Sequence, residues 1–360
     1  MYAIELYVKL LLLFHMNEVF DRGLARKMIE SLKPLGTIDC RIRGITGYTA
    51  ALDSGLGDVV KLEKVPITEL IARSDHEAIV LTSYTNNPEK FHAYCWLISK
   101  QVSGKPIIEV EANSQTVIPL NDEAISLANN ISRLLNFKLS EKRTFPVNMW
   151  THGARTYRRI LAVEPGDFVL LNGIVIGRAV SSEAILVEEN GRIVDAIGVT
   201  LKPHGIEKLD RLGFKGLRNS KISSIKVLRE RVERRVRINS SRGRGVTIFD
   251  HEVADVYEKV DKVEGAITIG DDTTLIISDI FERYGRRILG IMDGDADGLL
   301  GFSKLPSNSV LLIVDNDDEA GLQVKDLFRG GGYLDSDFDV VVEKVIELLK
   351  PMTKMIIRLR

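Results

Sequence analysis

Two cysteines in 360 residues, Cys40 and Cys95, exclude a disulfide framework and a cysteine-rich metal site, and they suit a reducing cytosol. Histidine is sparse too: six are scattered along the chain, and acid-rich strand ends suit Mg²⁺ or Mn²⁺ and not zinc, which wants His or Cys. Net charge is nearly absent as well. The formal value of −1 points overall to neither nucleic acid nor membrane. Long apolar runs are missing too. Leu10 to Phe14 (LLLLF) is too short for a membrane span or a signal-peptide core, because Glu5 and Lys9 precede it and charges resume at Glu18. A buried strand in a cytoplasmic protein is the expectation. With 44% apolar and 28% charged residues, the chain is globular and long enough for two or three domains.

The order of elements is legible from periodicity. Residues 8–14 read as a buried strand. Leu24 to Leu32 reads as a helix carrying Leu24, Met28, Ile29 and Leu32 on its apolar face. The strand TIDCRIRG, the turn GITGYTA, an apolar run over residues 77–82, a helix over 90–99 and the strand IIEVE follow. Strands alternating with helices predict a Rossmann-like parallel α/β domain over residues 1–142. Over 143–205 the texture turns β-rich, with Asn172–Gly173 and Asn190–Gly191 marking hairpins in a small antiparallel unit.

Charge is then distributed in blocks. Residues 202–245 hold fourteen Lys/Arg against four Asp/Glu, a local net of +10. Within this linker over 206–245, IKVLRERVERRVRI places Ile225, Leu228, Val232 and Val236 on one stripe of a helix. Arginines flank that stripe, Arg229 among them. Arg231, Arg234 and Arg235 are the candidates for steering phosphate or nucleic acid. The alternative is a surface helix whose arginines pair with acids of the chain itself. Phe214 is the single aromatic in this block, which counts against a stacking platform for single strands. Residues 246–360 swing to a net of −10 and read as a second, acidic Rossmann-like domain.

In that domain four strands end in acid: GVTIFD at Asp250, GAITIGDD at Asp271 and Asp272, RILGIMDGDAD at Asp293, Asp295 and Asp297, and SVLLIVDNDDEAG at Asp315, Asp317 and Asp318. Parallel strands put all carboxyl ends on one edge, where ligands of α/β sheets bind. Aspartate also caps helices, which suffices for Asp250 and is an alternative for Asp272. It does not account for seven acidic side chains within 293–297 and 315–319. Packed carboxylates repel, and a hard cation, Mg²⁺ or Mn²⁺, is the expected compensation. Asp293, Asp295, Asp297, Asp315 and Asp317 are the candidate metal ligands, and Asp272 and Asp295 the candidate catalytic groups.

DGDADG carries the first half of an EF-hand loop, but its closing Glu falls on Lys304 and a strand precedes it, so an EF-hand is excluded. IMDGDADG and IVDNDDEAG resemble the strand–DxD element of Toprim domains. DGDADGLLG is similar to the first aspartate motif of DHH-type phosphoesterases. Those resemblances imply Mg²⁺ or Mn²⁺ and phosphodiester chemistry. The chain departs from both, offering Gly270, Asp271 and Asp272 where Toprim has Glu, and only Asp250–His251 for a DHH triplet.

A resemblance over nearly the whole chain rests on EVFDRG, GITGYTAALDSGL, IIEVE, PGDFVLLNGIVIG, HGIEKL, IGDDTT and DGDADGLL. These resemble a domain-of-unknown-function family of methanogens and related archaea, which implies a cytoplasmic archaeal protein and brings no activity with it. Further candidate cofactor-binding residues are Gly44, Gly47 and Thr49, between a strand and a short helix where backbone N–H groups can hold an anion, and Thr273, which opens the helix after GAITIGDD. Thr82, Ser83, Asn86, Asn87, Glu109 and Glu111 form another polar strand-end group, with His15 at the end of the first strand. The leading expectation is a metal-dependent site acting on a phosphate ester, nucleotide or nucleic acid. The alternatives are a non-enzymatic nucleotide or anion sensor, and a nucleic-acid-binding module using the basic block. No membrane association is expected.

Overall fold

The computed structural model describes residues 8–145, 148–226, 229, 236–238, 243–293, 305–328 and 331–359, and its internal contacts divide the chain into two units, Met1–Arg231 and Val232–Arg360. No helix among the described residues is long and apolar enough to cross a membrane.

The first unit is built around β1 (Val8–Phe14), whose Leu10 to Phe14 are wholly buried. An apolar residue at every position is what a strand covered on both faces requires. Leu10, Leu12 and Phe14 join one core layer, and Leu11 and Leu13 join the other. In chain order come α1 (Glu18–Asp21), α2 (Leu24–Leu32), β2 (Gly36–Arg43), α3 (Ile45–Asp53), β3 (Val60–Glu63), α4 (Ile67–Arg73), β4 (Ala78–Ser83) and α5 (Pro88–Ser99). β5 (Ile107–Glu111), β6 (Thr116–Pro119), α6 (Ile125–Leu135) and β7 (Lys138–Leu139) complete the layer structure. The sheet runs β3-β2-β1-β4-β5-β6-β7, with β1 to β5 parallel and β6 antiparallel to β5. Strand order reverses at β1, so the connections leaving β1 and β4 diverge at their carboxyl ends, the position where ligands of such sheets bind. GITGYTA, expected as a turn, is helical: it forms the start of α3, because Ala50 and Ala51 extend its apolar side into the core.

Antiparallel pairing takes over at β8 (Met149–His152), β9 (Arg155–Ile160), β10 (Phe168–Leu171), β11 (Ile174–Ala179), β12 (Ala184–Glu189), β13 (Arg192–Ile197) and β14 (Val199–Leu201), followed by α7 (Pro203–Arg211) and β15 (Ile222–Ile225). Two four-stranded sheets, β13-β12-β9-β8 and β14-β11-β10-β15, close on a shared core that includes Val169, Ile176, Leu186 and Leu209. Both Asn-Gly pairs are two-residue hairpin loops. Asn172 (φ 53°) and Gly173 (φ 87°) join β10 to β11, and Asn190 (φ 53°) and Gly191 (φ 75°) join β12 to β13. Left-handed φ at both central residues matches the twist of the flanking strands. Ile225 departs from the helical stripe expected of it: it ends β15, paired with Phe168 of β10. Leu228 and Val232 lie outside the described residues.

The second unit carries β16 (Val246–Asp250), α8 (Val256–Lys259), β17 (Gly265–Ile269), α9 (Asp271–Arg283), β18 (Arg287–Met292), β19 (Val310–Val314), α10 (Asp317–Leu327), β20 (Tyr333–Leu334), α11 (Phe338–Leu349) and β21 (Thr353–Arg358). Its sheet runs β20-β16-β17-β18-β19-β21, the four central strands parallel and both edges antiparallel. α10 and α11 cover one face through Val324, Val341, Val342 and Val345. α9 covers the other, where Phe281 meets Phe249 edge-on and Thr274 bonds Thr268 at 2.8 Å. After Asp250, His251 takes a left-handed φ of 53°, and the helical segment that follows is one turn, Val256–Lys259.

Candidate metal centre at the carboxyl edge of the second sheet

Parallel β16 to β19 place their acidic ends on one edge, as the strand pattern demands, and helix phase then selects which acids converge. β17 is followed by Gly270, whose φ of 96° lets the chain turn straight into α9. A Cβ at this glycine would sit 3.0 Å from the His251 ring, so backbone and imidazole are packed together. Asp271, the first residue of α9, is 8% exposed. Asp272 follows a rotation of about 100° further round the helix and is not among the carboxylates that converge. Asp293 stands directly behind β18. At the fourth strand, Asn316 caps α10 by accepting from the Glu319 N–H at 2.8 Å, and Asp317 is the first helical residue.

One carboxylate oxygen each from Asp271, Asp293 and Asp317 lie within 4.8 Å of one another. His251, Asp317 and Asp318 form a second such group, so Asp317 belongs to both. Two expected members do not join. Asp272 is displaced by Asp271. Asp315 points to solvent and pairs with Lys354 of β21 at 3.3 Å. Asp295 and Asp297 lie outside the described residues, as do Arg231, Arg234 and Arg235. Thr273 is buried on α9.

Electrostatics within the cluster follow from its packing. Burial and the charge of Asp293 push the Asp317 carboxyl above its ordinary range. Asp250 opposes this trend: burial alone would raise it, but hydrogen bonds from His251 and Lys325 pull it below its ordinary value. His251 Nδ1 lies 2.5 Å from Asp250 Oδ1, while its Nε2 faces Asp318 at 3.7 Å and Asp317 at 3.9 Å. The bond to Asp250, with the other two aspartates behind it, lifts the imidazole pKa above its usual value. In the sequence His251, like His15, follows a strand end and so can lie at a catalytic edge. The Asp-His dipeptide at a strand end was its only signal.

In the first unit, Gly44 precedes α3 at the end of β2. Gly47 is a packing residue, since a Cβ there would meet Ile42 at 2.7 Å. The Thr49 hydroxyl donates to Ile45 O at 2.9 Å. Arg229 of the basic block bonds Asp53 at 2.6 Å and also Asp21, with its side chain 4% exposed. It holds α1 and α3 together, so this arginine of the basic block is spent inside the protein.

The chain is therefore an α/β protein with two parallel-strand sheets and a carboxylate-rich edge on the second. A family model described as "Uncharacterized protein conserved in archaea (DUF2117)" matches residues 12–331, and the chain belongs to this family. It is 32% identical over 322 residues to the uncharacterized protein MJ0065 of Methanocaldococcus jannaschii, covering 85% of this chain and 88% of that protein. A solved structure of a putative cobalamin biosynthesis protein G homolog from Sulfolobus solfataricus matches 38% of each chain at 17% identity with a TM-score of 0.25, a likeness too slight to carry an argument.

Proposed function

We propose that the carboxyl edge of the second sheet binds Mg²⁺ or Mn²⁺ and acts on a phosphate ester, a nucleotide or another phosphorylated small molecule. The observation that carries this reading is the convergence of Asp271, Asp293 and Asp317 from three separate elements to within 4.8 Å. An all-oxygen set of this kind suits a hard cation and leaves room for water and substrate oxygens. Bound there, the ion would polarise a phosphoryl oxygen and lower the pKa of a coordinated water. Asp271, buried and fixed on the first turn of α9, supplies the most rigid ligand. His251 is placed to hold a proton beside Asp317 and Asp318 and to pass it to a leaving oxygen, with Asp250 fixing its ring. Arg229 being engaged with Asp21 and Asp53 favours a small substrate over a nucleic acid held by the basic block.

The test is hydrolysis of p-nitrophenyl phosphate, bis-p-nitrophenyl phosphate and a nucleotide panel with Mn²⁺, Mg²⁺ or EDTA. Turnover should need the cation and fall at least about a hundredfold in Asp293→Asn, the scale of losing a metal ligand or its support. Turnover that survives EDTA, or the substitution, removes the proposal.

A further inference from the structure

The switch point at the carboxyl edge of the first sheet holds buried polar groups that the proposed metal centre does not use. It lies where the strand order reverses, between β1 and β4. His15 follows β1, Ser83 ends β4, and Glu109 lies on β5. Side chains alternate along strands, so these three share the face of Leu13, Leu81 and Ile107, which pack against α4 and α5. His15 Nε2 is 2.9 Å from Glu109 Oε1, and the imidazole stacks on Tyr94 of α5 with centroids 4.4 Å apart and planes 18° from parallel. The side chains of His15 and Glu109 are 4% and 0% exposed.

Glu109 and its neighbour Glu111 are both buried carboxylates, yet they are used differently. Glu111 accepts from the backbone N–H groups of Thr85, Asn113 and Ser114 and so holds the loops around it. Glu109 spends one oxygen on His15. Among the described residues its Oε2 has no hydrogen-bond partner, nor do the buried Ser83 and Tyr94 hydroxyls on the same side of the sheet. Buried polar groups are ordinarily satisfied, because leaving them bare forfeits their hydration with nothing in return. A buried carboxylate oxygen with no partner asks for a donor. Two buried carboxylates repel phosphate and other anions. The pairing of Glu109 with His15 engages the neighbouring imidazole, and among the described residues no group of three metal-ligating side chains includes Glu109.

We propose that this switch point, through its partnerless buried groups, binds the hydroxyl groups of a neutral small molecule, a sugar or nucleoside, with Glu109 Oε2 accepting from one hydroxyl and Tyr94 and Ser83 engaging its neighbour. His15 is a positioning residue that fixes the Glu109 carboxylate.

The experiment is a titration of the full chain carrying isotope-labelled histidine, followed by NMR, with the His15 signal assigned through His15→Asn. Adenosine and ribose should move the His15 resonances saturably, whereas putrescine and inorganic phosphate should not. Glu109→Gln should weaken binding about tenfold or more, the loss of a hydrogen bond to a charged group. Should Glu109→Gln fail to fold, Tyr94→Phe and Ser83→Ala carry the test, each expected to weaken binding about threefold. Unmoved His15 resonances with adenosine and ribose would overturn the proposal. So would a response to putrescine or phosphate alone, or folded variants that bind as well as the parent. None of these outcomes bears on hydrolysis at Asp271, Asp293 and Asp317.

Discussion

At the scale of single residues, one position of helix phase separates Asp271 from Asp272 and two chain positions separate Asp315 from Asp317. The sequence puts acids at four strand ends but cannot say which of two neighbours turns inward, because that depends on where each helix starts. Gly270 and Asn316 settle it here, by starting α9 at Asp271 and α10 at Asp317. Two predictions belong to this scale. The folded pKa of His251 is raised, so the stability gained from its bond to Asp250 is fully present below the unfolded pKa near 6.5 and is lost as pH rises through the folded value. Thermal denaturation should therefore show stability declining above that pH in the parent, with a flatter profile in His251→Asn. Arg229→Ala leaves Asp21 and Asp53 buried without their cation and should cost about 3–5 kcal/mol in chemical denaturation. A loss below about 1 kcal/mol would mean the arginine is solvated after all.

Elements were legible wherever a local rule decided them. The all-apolar run of β1, the 3.6-residue spacing of α2 and both Asn-Gly hairpins appear where the sequence puts them. The pattern that misled was the helical stripe through Ile225. A β-branched residue fits strand and helix spacing alike over so short a span, and pairing with β10 decides for the strand. GITGYTA misled in the other direction, since two glycines suggest a turn while core contact of the following alanines makes a helix. Glycines also discriminate between two kinds of constraint. A Cβ at Gly173 meets nothing within 4 Å, so Gly173→Ala should cost about 1 kcal/mol for its left-handed φ alone. A Cβ at Gly205 of α7 would lie 2.1 Å from Val175 O, so Gly205→Ala must push α7 off β11 and should cost distinctly more, about 3 kcal/mol. Equal midpoints for the two variants in urea would contradict this reading of α7.

For the whole molecule, composition conceals organisation. A net charge of −1 sums a basic block and an acidic domain, and the division of internal contacts at Arg231 and Val232 falls inside that basic block. Two units with separate cores are expected to unfold in two calorimetric transitions. A cation bound at the carboxyl edge of the second sheet stabilises only the unit that holds it, by about 2.7 kcal/mol at a hundred times its Kd. Mn²⁺ should thus raise one transition and leave the other in place. A uniform shift of both, or of neither, would separate the cation from the second unit.

The most direct test of the metal centre is calorimetric titration of the full chain with Mn²⁺, alone and with single substitutions. Saturable binding that is abolished by Asp271→Asn and by Asp293→Asn, unchanged within about twofold by Asp272→Asn and Asp315→Asn, and tighter as pH rises through the elevated Asp317 titration is the expected result. Binding that ignores Asp271 and Asp293, or that depends instead on Asp272 and Asp315, would contradict it.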